Sequence, residues 1–192
     1  LSDRIAREYY TIPKDKRNGK VSIVSSTSFF VPKPFTPFQW VSMASREDFL
    51  EKQRYLNGKM REQLNQKSIK YNWHEAETTM IEGVLARGDR RLSKVILDVY
   101  KTGGIYDAWS EHFDYDRWLK AFKDNNVDPD FYTVRERSTD ELLPWDFIDI
   151  GVTKDFLKRE YKRALEEKVT PNCRQACANC GTKKFGFGVC VE

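Results

Sequence analysis

All four cysteines of the 192-residue chain, Cys173, Cys177, Cys180 and Cys190, fall within its last twenty residues. This crowding decides how the rest must be held together. Disulfides stabilise only the loops they close, so the chain before Cys173 has to fold on its own hydrophobic core. The material for one is present. Hydrophobic residues make up 40 % of the chain and aromatics 14 %, too many aromatics for a disordered polymer. Charged residues reach 32 %, with 33 Lys and Arg against 29 Asp and Glu and a net charge of +4. That is a mixed, mildly basic surface, which admits an anionic partner without demanding nucleic acid. No apolar run reaches the 18 or so residues of a membrane span. The first twenty residues are charged throughout, unlike a signal peptide. A cytoplasmic protein with no membrane partner is the expectation. Leu1 in place of Met fits a processed chain or a piece of a longer one.

Periodicity gives a helix-rich α/β chain. Ile5, Tyr9 and Tyr10 suit the end of a helix that Pro13 stops. KVSIVSSTSFFV (20–31) has no helical period and reads as a buried strand. Pro32, Pro34 and Pro37 then force an extended course. Ser45 and Asp48 resemble a capping box for a helix over 46–65, with Phe49, Gln53, Leu56, Met60 and Leu64 on one face. Alternation over 68–73 predicts a second strand. Helices follow at 75–87, with Met80, Ile81, Val84 and Leu85 inward, and at 89–101, with Leu92, Val95, Ile96, Val99 and Tyr100 inward. Gly88 is the expected C-cap of the first and Asp89 the N-cap of the second. Further helices are predicted at 115–124, 129–136 and 154–167, with an aromatic-lined loop over 138–152. Strand, helix, strand in this spacing is a βαβ unit, which requires a parallel pair. Two such strands lack neighbours, which suggests the end of a larger α/β domain.

The cysteine pattern is Cys173-x3-Cys177-x2-Cys180-Gly181-x8-Cys190. A Cys-x2-Cys pair puts two thiolates on one turn, and two further Cys complete a tetrahedral zinc site or an iron–sulfur cage. Spacing does not separate the two metals. Reduced thiols or disulfides within the tail are the alternative. Cys-x3-Cys-x2-Cys is also the spacing of the radical S-adenosylmethionine (SAM) cluster. However, Asn179 stands where that motif usually has an aromatic, and the segment follows the last helix. An auxiliary site is the better reading. Elsewhere, Glu82, Arg87, Asp89, Arg90 and Arg91 form a dense charged group at a helix junction, explained by capping and ion pairs or by binding of a phosphate or carboxylate. Trp109, Trp118 and Trp145 read as core. His112 receives no role, and Lys158, Arg159, Lys162 and Arg163 read as a solvated face.

Four stretches taken together resemble one family: FVPKPFTPFQW (30–40), EGVLARGDRRL (82–92), LPWDFIDIGV (143–152) and the tail with Cys180-Gly181. The chain resembles, over nearly its whole length, the C-terminal part of bacterial cobalamin-binding-domain radical SAM proteins, often labelled Fe–S oxidoreductases. The resemblance implies the last strands of a partial (β/α) barrel over 1–102, a helical extension over 103–168 and a Cys-rich metal-binding tail over 169–192. The cobalamin-binding-like domain and the SAM-cluster cysteines would precede Leu1, so the partner implied is the N-terminal remainder of the enzyme and this segment alone would be inactive. Barrel function gathers at the C-terminal strand ends. That singles out Pro32 and Lys33 after the first strand and Asn72 and His74 at the second, with Arg87 and Asp89 beside them as SAM- or substrate-facing candidates. The implied cofactors are S-adenosylmethionine, with cobalamin, in the intact protein, and an iron–sulfur cluster or zinc on Cys173, Cys177, Cys180 and Cys190. The rival function is a metal-knuckle module that docks RNA or a protein partner, although no interleaving of aromatic and basic residues supports it. A third is a structural helical domain with an inert tail.

Overall fold

The computed structural model describes residues 1–186, so Cys190 lies outside the described residues. It is helix-rich with one two-stranded parallel sheet. The elements are α1 (Ser2–Thr11), β1 (Ile23–Thr27), α2 (Arg46–Arg61), β2 (Ile69–Trp73), α3 (Ala76–Arg87), α4 (Leu92–Lys101), α5 (Tyr115–Asp124), α6 (Pro129–Tyr132) and α7 (Lys154–Leu165). The chain forms two compact units. The first is Leu1–Phe30 with Ala44–Met80, and the second is Val31–Met43 with Ile81–Glu192. The boundaries expected near residues 102 and 168 both lie inside the second unit.

In the first unit β1 pairs with β2 in parallel, Ile23 opposite Ile69 and Thr27 opposite Trp73. The expected parallel pairing is therefore present, but β1 is not buried. Val24 is 60 % exposed, and the strand alternates between half-buried and exposed residues. Only one face of the pair is covered. Helix α2 starts at the capping box read from the sequence. Ser45 Oγ accepts from Asp48 N at 3.2 Å, and Asp48 Oδ2 accepts from Ser45 N at 3.0 Å. Asp does here what Glu or Gln usually does. The helix ends at Arg61 rather than 65, because Leu64 finds no surface to cover and stays 78 % exposed. Phe49 anchors α2, stacked on Phe29 with ring centroids 4.1 Å apart. In α1 the buried face is Asp3 and Ala6; Asp3 Oδ1 accepts from Asn65 N at 3.0 Å and ties the helix to the chain before β2.

The second unit holds the larger core. Val84, Val95, Val99, Phe122 and Tyr132 are its deepest members, and Trp40, Leu143, Trp145 and Leu157 form a second cluster. Several residues expected inward are not: Leu85, Ile96 and Tyr100 are 42 %, 46 % and 60 % exposed. Only a narrow stripe of α4 is covered. Of the three tryptophans expected in the core, Trp118 and Trp145 are buried, whereas Trp109 is 56 % exposed. Helix α4 starts at Leu92, three residues later than the sequence suggests. The Asp89 side chain accepts from Arg91 N at 2.9 Å, and its carbonyl accepts from Leu92 N at 3.0 Å, so Asp89 makes a turn leading into the helix. Helix α6 stops at Tyr132 because the following backbone is committed elsewhere: Thr133 O accepts from Met43 N at 2.9 Å, and Arg137 N donates to Trp40 O at 2.8 Å. Among the described residues no helix is long and apolar enough to cross a membrane.

The capping box gives a test of local stability. Ser45→Ala removes one cap acceptor and should lower the unfolding free energy by about 1 kcal/mol, read as a shift of the urea midpoint at unchanged slope.

Candidate functional site

The residues singled out in the sequence fall into three places. In the first unit, Asn72 is exposed on β2 and His74 follows the strand. His74 N donates to Thr27 O at 3.3 Å, extending the ladder by one bond. The His74 side chain is exposed and has no hydrogen-bond partner among the described residues.

The second place is the junction of α3 and α4, with the strap 31–43. Pro32 is fully buried. Lys33 pairs with Glu82, and each side chain is 45 % exposed. Arg87, the last residue of α3, is completely buried. It donates through Nη1 to Thr133 O at 3.1 Å and through Nη2 to Val41 O at 2.9 Å, with a longer 3.5 Å contact to Gln39 O. Burial, then the neighbouring Arg137 and Arg135, pushes Arg87 down to about 10, so it remains protonated at neutral pH. Arg87 therefore fastens backbone and does not face a surface ligand. Beneath it lies Arg137, 4 % exposed, which donates to Arg87 O and Tyr132 O at 3.3 Å each and covers the Trp145 ring at 5.6 Å.

Asp89 is half-buried and grips Arg91, with Nε at 3.0 Å from both oxygens and Nη2 at 2.7 Å. It also accepts from Tyr132 Oη at 3.2 Å. The hydrogen bonds from Arg91 hold its carboxyl below the usual carboxylate range. Arg91 lies over the rings of Phe131 and Tyr132. Arg135 covers Phe131 at 4.4 Å and makes a two-pronged pair with Glu141. An open cleft of about 530 Å³ borders Asp89, Arg90 and Arg91 on one part and Leu142, Pro144 and Phe147 on another. A second cleft, about 520 Å³, shares Leu142 and is walled by Phe35, Gln39, Trp145, Val152 and Leu157.

The third place is the tail. Thr153 N, at the start of α7, donates to Cys180 O at 2.9 Å. Gly181 follows at φ +106°, a conformation that glycine adopts without strain. A Cβ there would also lie 2.6 Å from Gly151 O. The Phe185 ring lies against Gly151, and Lys184 pairs with Asp149. Arg159 donates to Ala178 O and Arg163 to Val169 O. The base of the tail is thus pinned to the 149–153 turn and to α7. The thiols are less constrained. Cys173 and Cys177 are exposed and Cys180 is half-buried, each of them free. Cys180 Sγ lies 3.0 Å from Thr182 Oγ1, whose hydroxyl holds the thiol below its ordinary value. Cys177 Sγ donates to Asn179 Oδ1 at 3.6 Å. Soft thiolates suit zinc or an iron–sulfur cluster in donor chemistry. Yet among the described residues no three Cys, His, Asp or Glu side chains are gathered around one point. A ligand set would have to draw Cys173 and Cys177 in toward Cys180, with Cys190 outside the described residues, and such gathering accompanies metal binding in many small sites.

Two buried residues that carry much of this geometry, Gln39 and Arg137, have no site role in the sequence reading, and Trp145, expected only as core, is bonded to the first of them. Trp145 Nε1 donates to Gln39 Oε1 at 2.7 Å across 106 residues of chain. A polar Gln inside the aromatic run FTPFQW is the one visible hint.

Comparison with models of known protein families, with curated protein sequences and with solved structures finds no match to the chain.

Two measurements follow from the junction. Arg87→Lys keeps the charge but offers one ammonium where several carbonyls need a planar fork. It should cost roughly 3 kcal/mol in urea unfolding, whereas Arg90→Lys on the exposed rim should cost less than about 0.5 kcal/mol. Asp89 has a lowered folded-state value, so its contribution is fully present above the unfolded value near pH 4 and is lost as pH falls through the lower folded value. The gap in urea midpoint between wild type and Asp89→Asn should be the same at pH 7 and pH 5, and should shrink below about pH 4.

Proposed function

We propose that this chain is the C-terminal part of a radical SAM Fe–S oxidoreductase-like enzyme, that it supplies the last strands of a partial (β/α) barrel, and that its tail carries an auxiliary metal or cluster. The observation that carries the reading is how the motif segments behind the resemblance interlock within the second unit. EGVLARGDRRL ends α3 with Arg87, which donates to Val41 O just beyond FVPKPFTPFQW. Lys33 of the first motif pairs with Glu82 of the second. LPWDFIDIGV supplies Trp145, bonded to Gln39, and leads to Thr153, which receives the tail at Cys180 O. The four segments act as one fastened module rather than as unrelated surface stretches.

The parallel β1–β2 pair also supports the reading. Its two strands bond only to each other among the described residues, which leaves backbone donors and acceptors along both outer edges. Unpaired edges invite further strands, and in this proposal the preceding barrel strands take them. The SAM-cluster cysteines and the cobalamin-binding domain would then belong to the N-terminal remainder. A cluster on the tail thiolates would supply electron transfer, and zinc would supply a structural cross-link.

Anaerobic purification with iron, sulfide and zinc analysis tests the tail. About four irons with sulfide supports an auxiliary cluster. One tightly held zinc excludes the cluster and favours the metal knuckle; neither metal leaves ordinary thiols. The enzyme reading expects reductive SAM cleavage by an N-terminally extended chain and none by these 192 residues. Cleavage by the present chain alone would refute this placement of the active cluster.

A further inference from the structure

The 520 Å³ cleft beside the 143–152 loop has the features of a built ligand site, and they do not depend on the enzyme reading above. Its size lies within the range of small-molecule pockets, roughly 300–1,000 Å³. Its walls carry rings and branched aliphatics (Phe35, Trp145, Val152, Leu157). Phe35 sits at φ +60°, a left-handed conformation that a bulky side chain rarely adopts. That strain is held by one group: Gln39 Oε1 accepts from Phe35 N at 3.0 Å and from Trp145 Nε1 at 2.7 Å.

Both of these neighbours are pure donors, which fixes the orientation of the amide. The carboxamide oxygen must face them, and Nε2 must face away. Gln39 is 98 % buried, since only 2 % of its surface is exposed, and it lines the cleft. Its Nε2 makes no hydrogen bond among the described residues, and Gln39 is one of the residues that line the cleft. The cleft that Gln39 lines is where that donor can meet an acceptor. A nearly buried amide donor, without an acceptor and set among aromatic walls, asks for an acceptor from a ligand.

The charges around the cleft narrow the class further. Asp146 pairs with Lys154 at 2.7 Å, and Lys154 also donates to Glu141 O. Asp149 pairs with Lys184. Every charged side chain of the lining is compensated, so the cleft offers no free charge to an ion.

The geometry points to a binding site for a small, uncharged, planar aromatic heterocycle or aromatic amide. The ligand presents a carbonyl or ring-nitrogen acceptor to Gln39 Nε2 and packs its faces against the aromatic and aliphatic walls. The 530 Å³ cleft bordered by Arg90 and Arg91 shares Leu142 with this one.

The test titrates the full 192-residue chain with four probes, read by saturation-transfer NMR and tryptophan fluorescence. Nicotinamide and hypoxanthine are uncharged, planar and carry a carbonyl. Indole is planar without such an acceptor, and benzoate is charged. Saturable binding of nicotinamide or hypoxanthine is expected, with indole and benzoate at least about tenfold weaker. Val152→Trp, on a half-buried wall, should fill the cleft and abolish binding while the unfolding temperature stays near that of the wild type. Gln39→Glu keeps an oxygen toward Phe35 N and Trp145 Nε1 but replaces the donor by an acceptor. It should weaken the carbonyl probes tenfold or more; if it unfolds, Val152→Trp decides alone. No saturable binding of either carbonyl probe, indole or benzoate binding as well as they do, or binding that survives Val152→Trp would overturn the assignment.

Discussion

The guanidinium of Arg87 ends helix α3 with its charge fully inside the protein and, among the described residues, no carboxylate against it. What it has instead is carbonyl oxygen, from Thr133 and Val41 and more distantly from Gln39. Each of those carbonyls belongs to irregular backbone. Burying such backbone without partners would cost several kcal/mol, and burying an unsolvated charge would cost more. Each deficit supplies the remedy for the other. Arg137 repeats the device: its Nη2 donates to the carbonyls of Arg87 and Tyr132 while its guanidinium covers Trp145. Two cations in one core repel, and the lowered value of Arg87 records this as well as its burial. They are tolerated because the carbonyl dipoles converge on them.

Much of the local structure was legible in the sequence because it follows from short-range chemistry. Periodicity located the helices, and Ser45 with Asp48 marked the start of α2. In the structure Asp114, Asp128 and Thr153 likewise cap α5, α6 and α7. Strand–helix–strand order required the parallel pair that joins Ile23 to Ile69. The misreadings have a common cause. Ile96, Tyr100 and Leu85 are apolar and near the right phase, but how wide a stripe a helix buries depends on what packs against it, which periodicity does not report. Val24, in a run that looks like a buried strand, is exposed for the same reason.

The candidate site was less legible. Arg87 stood in a run of charged residues and looked like its neighbours Arg90 and Arg91, although one is sealed and the others are exposed. Arg137, in Arg-Glu-Arg-Ser, gave no signal at all. The distance in sequence between Gln39 and Trp145 hides a bond that organises a strained turn, a core tryptophan and a cleft. In the tail the pattern of cysteines was plain, but the thing that anchors it, Thr153 N on Cys180 O, is a backbone bond and leaves no mark on side-chain identity.

The bonds that Arg87 makes span 46 to 48 residues of chain. That separation bears on the order in which the second unit assembles. The strap 31–43 and the turn after α6 have little ladder of their own to form early, and closing loops of this length carries an entropic cost before any bond rewards it. Helix α3 can form locally, and its last side chain then acts as the seat on which both segments settle. Assembly of this region is therefore expected to be late and concerted, with amide protons at Met43 and Arg137 in one cooperative opening unit rather than exchanging independently.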